Sequence, residues 1–520
     1  MDHGVKEITT IFVKRMAFFP LSLLILFLSF QGEGFAQGKA INRERILSEM
    51  QTSGQARIIA QFSTPRIKEL TAASQGHKGV VPGEKRSREK VRPTLTVDQT
   101  LSGEIAKTVD NVLAKLSGQS FTVNRRYETL PLITLTVSKA TIDTLEKMEE
   151  VTAIYPDKLN HLPQTIKGVK SDSQASATGQ GLILPQLMDT VNIIGAPAAW
   201  ARGYTGKGWH VAILDTGFLT SHEFFYDKNF VEACFALGQY GQGDCPNGSD
   251  TMIGSGAAAQ YPSFFGNFDH GTHIAGIVAG KKMDGSLNGV AKEADIIAVQ
   301  VFSRIYDPEY EDYYVAVWDS DIIRGLDYVY SLRDTYSIAA VNLSAKTYLY
   351  DDQYLCDAQN GAIKTAIDHL RSVNIPTAIG TGNNGLCGLV YAPACISSAI
   401  GVGASTRSGD MRASFSCWHS VLQDLFAPGE YIYSCGGSSN TDYRYMTGTS
   451  VAAPHISGAW AILRQNRPRA TVDELLSAIN AKGVWIESYC PGGGSKARIQ
   501  VDATLENKTM PWLQLLLEDG

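Results

Sequence analysis

The stretch Gly448-Thr449-Ser450-Val451-Ala452-Ala453-Pro454-His455 sets a serine between a glycine-led turn and a run of small and apolar residues, continued by Ile456, Gly458 and Ala459. Side chains this small let backbones approach closely, so the pattern predicts a helix packed tightly on its neighbours. Proline is tolerated in a helix's first turn, where its missing N–H has no partner to lose, and Pro454 is expected there. Ser450 then stands at the N-terminus of a buried helix, where partial positive charge favours a developing negative charge. A serine hydroxyl alone is a poor nucleophile. It needs a base, and the base needs an orienting carboxylate.

Both types occur upstream. Trp209-His210-Val211-Ala212-Ile213-Leu214 is an almost continuous apolar run that suits a strand buried on both faces, and it delivers Asp215-Thr216-Gly217 at its C-terminal end. Catalytic groups of open α/β sheets gather beyond the carboxyl ends of strands. His270-Gly271-Thr272-His273-Ile274-Ala275-Gly276 is a second run of small and apolar residues with a histidine at its start. His270 is the candidate base. His273, three residues on, lies on the same face, and a buried, hydrogen-bonded structural role suits it. No carboxylate or cysteine accompanies the two at metal-motif spacing, so no metal site is expected there.

The blocks Asp-Thr-Gly, His-Gly-Thr-His and Gly-Thr-Ser-x-Ala-x-Pro-His, in the order Asp215, His270, Ser450, resemble the signature blocks of the subtilisin-like serine proteases, the subtilases. The resemblance covers residues from about 186 to 505. It implies a three-layer α/β catalytic domain with a mainly parallel sheet, and a Ser450–His270–Asp215 triad acting through an acyl-enzyme. It implies that Asn383, in Gly382-Asn383-Asn384-Gly385 after the buried strand Thr377–Thr381, donates its amide to the oxyanion. It also implies substrate contacts at Ser344, Ala345, Thr381 and Gly382. Where the family usually continues Leu-Gly-Gly after Asn342-Leu343-Ser344, this chain has Ala345-Lys346-Thr347. Lys346 either favours an acidic substrate side chain or simply faces solvent. Two other readings compete. A catalytically silent relative would show a broken block, and none is broken. A serine esterase of another fold would require Gly-x-Ser-x-Gly, whereas here Val451-Ala452 follows the serine.

The resemblance also implies that residues 37–160 form an inhibitory propeptide. Their own pattern agrees with a small α+β domain. Arg57–Phe62 reads as a strand, and Ile105, Val109, Val112, Leu113 and Leu116 share one helical face. Ile133, Leu135 and Val137 alternate with threonines, Ile142, Leu145 and Met148 suggest a second helix, and Val151–Tyr155 a further strand. Strand–helix–strand–helix–strand predicts an open, ferredoxin-like sheet with helices on one face. The basic cluster Lys85, Arg86, Arg88, Lys90 and Arg92 is expected to be a solvated loop. Residues 161–185 have linker composition and are the expected place of self-cleavage, within about 158 to 190. The catalytic domain is assigned to 186–505 and a tail to 506–520, whose Trp512, Leu513 and Leu515–Leu517 are either docked or an interaction surface.

At the start, Lys14 and Arg15 precede an apolar run from Met16 to Phe30, and Gly34-Phe35-Ala36 is a small-x-small site. This predicts a signal peptide over 1–36, with Met16 an alternative start. The run is short of the roughly 20 residues of a spanning helix, so no lasting anchor is expected and the protein is expected to be secreted or periplasmic. The 520 residues, 44% hydrophobic and 19% charged, suit a globular chain of two or three domains, and a net charge of −6 argues against nucleic acid as partner. The expected partners are protein or peptide substrates and the chain's own propeptide, with the enzyme a monomer. Eight cysteines fit an oxidising compartment. Nearness in sequence favours Cys234–Cys245, and Cys417–Cys435 is a second candidate. All eight together allow about 105 connectivities, and Cys356, Cys387, Cys395 and Cys490 stay unassigned. No cofactor is required for the chemistry. Structural calcium, common in the family, has no marked site, although Asp227, Asp244, Asp250 and Asp284 lie on loops.

Overall fold

The computed structural model describes residues 38–63, 92–163 and 187–506. The expected signal segment, Lys85, Arg86, Arg88 and Lys90 of the basic cluster, most of the linker and the apolar tail lie outside the described residues; Arg92, expected in that loop, instead begins a helix. The chain divides into Met1–Lys39 and Ala40–Gly520, and the fold below is that of the second unit.

Its N-terminal part is a four-stranded antiparallel sheet in the order Phe121–Arg126, Leu132–Val137, Ala56–Phe62, Val151–Pro156. The helices Arg92–Lys115 and Lys139–Leu145 complete a βαββαβ succession, the ferredoxin-like arrangement. Strand period explains its two faces. Ile58 and Ala60 point into the domain's own core with Ile105, Val109 and Val112. Ile59, between them, joins Tyr127, Tyr155 and Leu162 in the core of the larger domain. The edge strand Phe121–Arg126 was not expected, because it carries polar residues and only Arg125 in it is buried.

The larger part is built on a ten-stranded sheet. Its order is Val484–Glu487, Ser495–Arg498, Leu425–Pro428, Ile400–Ser405, Thr377–Gly380, Ile338–Leu343, His210–Asp215, Asp295–Gln300, Phe230–Phe235, Thr251–Ile253. The two outermost strands are antiparallel and the rest pair in parallel. Alternate residues of His210–Asp215 feed two cores. Val211 and Ile213 meet Ile274, Ala275, Ile456 and Ala459 on one side. Ala212 and Leu214 meet Ile322, Leu326, Ile363 and Ile367 on the other. This gives three layers, helix–sheet–helix, as expected.

The helix Thr449–Asn466 is buried along nearly its whole length, and Ser450 lies in its first turn. Pro454 is a correction: it stands one turn further in, within the helix interior. Its missing N–H leaves the Ser450 carbonyl without the usual helical partner. Among the described residues the disulfides are Cys234–Cys245, Cys356–Cys395 and Cys387–Cys490. The candidate Cys417–Cys435 is not formed, and both thiols are free and buried. Cys435 packs under the His270–Ala279 helix, its thiol donating to the Thr272 carbonyl at 3.1 Å, whereas Cys417 is tied to the Gly382 loop through its N–H to Gly382 O at 2.9 Å.

Candidate active site

Asp215 ends its strand, and one of its oxygens, Oδ1, accepts from Thr216 N–H at 2.8 Å and faces His270 Nδ1 at 2.8 Å. A carboxylate against Nδ1 makes that nitrogen the donor, so Nε2 is left as the acceptor. Nε2 stands 3.1 Å from Ser450 Oγ. Asp215 and His270 are fully buried and Ser450 nearly so. The three side chains that lie far apart in sequence therefore meet.

The residues around them explain the blocks. Thr216 Oγ1 accepts from Gly271 N–H at 3.2 Å, satisfying an otherwise orphan amide in the first turn of the histidine helix. Gly271 must lack a side chain, since a Cβ there would stand 2.4 Å from Gly217 O and 3.1 Å from Asp215 Cβ. Leu219 N–H donates to Thr272 Oγ1 at 2.9 Å, closing the same joint. His273 does not reach the cleft. Its Nε2 sits 3.1 Å from Ile432 O and 3.2 Å from Arg444 O, and burial pushes its pKa down to about 3. It is a neutral donor to backbone carbonyls.

Asn383 follows the strand Thr377–Gly380. Its Oδ1 accepts from Thr449 N–H at 2.8 Å and Thr449 Oγ1 at 2.9 Å. Thr449 Oγ1 in turn accepts from Gly382 N–H at 3.0 Å. This clamp turns the Asn383 Nδ2 end towards the serine turn: a Cβ on Gly448 would lie 2.7 Å from Nδ2 and 3.4 Å from Ser450 Oγ. Thr381 and Gly382 use their polar groups to hold this turn, Thr381 Oγ1 donating to Cys417 O at 3.1 Å. Ser344 and Ala345 are buried at the end of Ile338–Leu343.

One strand that sequence pattern missed lies between two segments of the larger domain. Leu159–His161 pairs antiparallel with Asp312–Trp318 on one side. On the other, His161 N–H donates to Lys346 O at 2.9 Å and Lys346 N–H to His161 O at 2.8 Å. Three residues are too few for periodicity to register. The neighbouring contacts were missed because their partners lie far apart in sequence. Asp157 accepts from Ser320 N–H and Oγ–H, both at 2.8 Å, at the N-terminus of the helix Asp319–Ser331. Arg57 pairs with Asp157 at 2.8 Å and lies over the Trp318 ring. Buried Arg125 pairs with Asp321 at 2.7 Å, and Asp327 accepts from Glu128 and Thr129 N–H at 2.8 and 3.0 Å. Of the loop carboxylates considered for calcium, Asp227 pairs with Lys281, Asp244 with Arg304 and Asp250 with Arg125, while Asp284 accepts from Ser286.

A sequence model described as the subtilase family matches residues 206–489, more than half of the chain. The chain belongs to the subtilase family. This subtilase is 32% identical over 275 residues to the extracellular serine proteinase of Thermus sp. (strain Rt41A), covering 53% of its own length and 55% of the relative's. It is 26% identical over 406 residues to subtilisin E of Bacillus subtilis (strain 168), covering 76% of itself and 86% of subtilisin E. Its fold is like that of fervidolysin from Fervidobacterium pennivorans, a keratinolytic enzyme related to subtilisin, with a TM-score of 0.55 at 18% identity, over 88% of this subtilase and 62% of that chain.

Proposed function

We propose that this subtilase is a secreted serine endopeptidase, made as a self-processing zymogen, whose catalytic residues are Asp215, His270 and Ser450. The supporting observation is the buried chain of contacts from Asp215 through His270 to Ser450 at 2.8 and 3.1 Å. In the mechanism, His270 Nε2 takes the Ser450 proton as Oγ attacks a peptide carbonyl. Asp215 holds the imidazole in the tautomer this needs and stabilises its charged form. The Asn383 amide and the Ser450 N–H stabilise the oxyanion, each donor contributing about 3 kcal/mol in a water-poor site. His270 then protonates the leaving amine, and water releases the acyl group by the reverse route.

The short strand supports the zymogen reading. Leu159–His161 lies as a substrate would, paired on both edges, and its parent domain is fastened by Arg57, Arg125 and Asp157. A parallel-rich sheet with many non-local contacts folds slowly, and a domain that binds its native form speeds folding and blocks the cleft until cut. The name of the Thermus relative and three disulfides support secretion. The test is Ser450→Ala. Turnover of a peptide substrate is expected to fall on the order of 10⁶-fold, and the chain should persist unprocessed. Peptidolysis at the wild-type rate would refute the assignment, and purified active enzyme beginning near Gln37 would refute the processing step.

A further inference from the structure

His161 and Lys346 exchange both backbone hydrogen bonds, so they are a directly opposed antiparallel pair. Such pairs project their side chains to one face, with Cβ atoms about 5 Å apart. Whatever peptide residue takes the place of His161 therefore stands beside the Lys346 side chain. That side chain is not a free surface lysine. It is half-buried, with Nζ 4.9 Å from the centre of the Tyr391 ring. Tyr391 in turn backs the oxyanion turn, since a Cβ on Gly382 would fall 2.3 Å from its Cδ2. Among the described residues no carboxylate pairs with Lys346, and burial pulls its pKa down. The residue now opposite is a poor match: burial and, secondarily, the Lys346 charge hold the His161 pKa below its ordinary value.

We propose that Lys346 is a specificity residue that selects glutamate or aspartate at the peptide position opposite it, the position His161 fills. This rests on the peptidase reading. A half-buried ammonium without a counter-charge gains from a carboxylate directly across the ladder, and a lysine or arginine there is repelled. Thr347 and Ala345, its neighbours, bring no charge to the position.

The test is a positional-scanning peptide library cleaved by the processed enzyme, with fluorophosphonate labelling of Ser450 as the measure of active sites. At one position, glutamate is expected to exceed alanine in kcat/KM by about two- to fivefold. In Lys346→Thr that ratio should fall to near one, and in Lys346→Glu the same position should come to favour lysine or arginine. Labelled wild-type enzyme that cleaves the library with no acidic preference at any position would overturn the inference alone. So would an acidic preference that survives in Lys346→Thr. Absence of both labelling and turnover would overturn the peptidase reading and this inference with it.

Discussion

Gly448→Ala tests the oxyanion geometry through a residue that carries no functional group. The added methyl would stand 2.7 Å from Asn383 Nδ2 and 3.4 Å from Ser450 Oγ. Carbon and nitrogen without a hydrogen bond between them sit at about 3.5 Å, so the amide must retreat by roughly 0.8 Å. It cannot do so freely, because Thr449 N–H and Oγ1 hold its Oδ1 at 2.8 and 2.9 Å. A displacement near 1 Å in a catalytic group costs about 10²-fold, and complete loss of one oxyanion donor costs about 10²–10³-fold. The expected result is a fall in kcat of roughly 10²–10³ with a much smaller change in KM, measured on a peptide p-nitroanilide. Asn383→Ala should fall by a similar factor. The double variant should be little worse than either single one, because both remove the same interaction. A Gly448→Ala enzyme within fivefold of wild type, or losses that multiply in the double variant, would refute the role given to Asn383.

Other outcomes follow from the same contacts. Asp157→Ala in a Ser450→Ala background removes two bonds to Ser320 and leaves Arg57 without its carboxylate. Docking should weaken by about 2–4 kcal/mol, seen as faster hydrogen exchange at His161 and Lys346 amides; unchanged exchange would count against this anchor. Burial lowers His273 and His369 to about 3 and His455 to about 4. Unfolded histidine titrates near 6.5, so their stabilisation is complete above that pH and is lost as pH falls. Asp321 and Asp424, raised to about 6 by burial, oppose this between pH 6 and their unfolded value. The histidines lowered by burial outnumber the carboxylates raised by it, so stability is expected to fall as pH drops from about 6.5 towards 4, checked by denaturant unfolding; stability that rises on acidification would contradict it. Replacing both Cys387 and Cys490 with serine opens a loop spanning 103 residues. This should cost about 3–5 kcal/mol, read as a lower unfolding temperature, and an unchanged temperature would show that the bridge closes no costly loop.

The parts of the fold that could be read in advance were those with long apolar patterns. The strand ending in Asp215 and the small-residue runs after His270 and Ser450 are buried on all sides, so their composition announces them. Arg125 and the Phe121–Arg126 edge were illegible because a buried arginine breaks the alternation, and its partner Asp321 lies 196 residues away. Leu159–His161 takes its strand conformation from the two edges that flank it and not from any propensity of its own. Pro454 lies deeper than its residue type suggests because Gly448 and Thr449, and not the proline, set the helix start. Cys417 and Cys435 are near in sequence but belong to joints on different elements, a relation that spacing cannot carry.

Labelling of the processed protein with a fluorophosphonate, followed by peptide mass mapping, bears most directly on the Asp215–His270–Ser450 assembly. A single adduct on Ser450 is expected, lost in His270→Ala and slowed by orders of magnitude in Asp215→Asn. An unlabelled Ser450 in folded, processed protein, or labelling indifferent to His270, would contradict it.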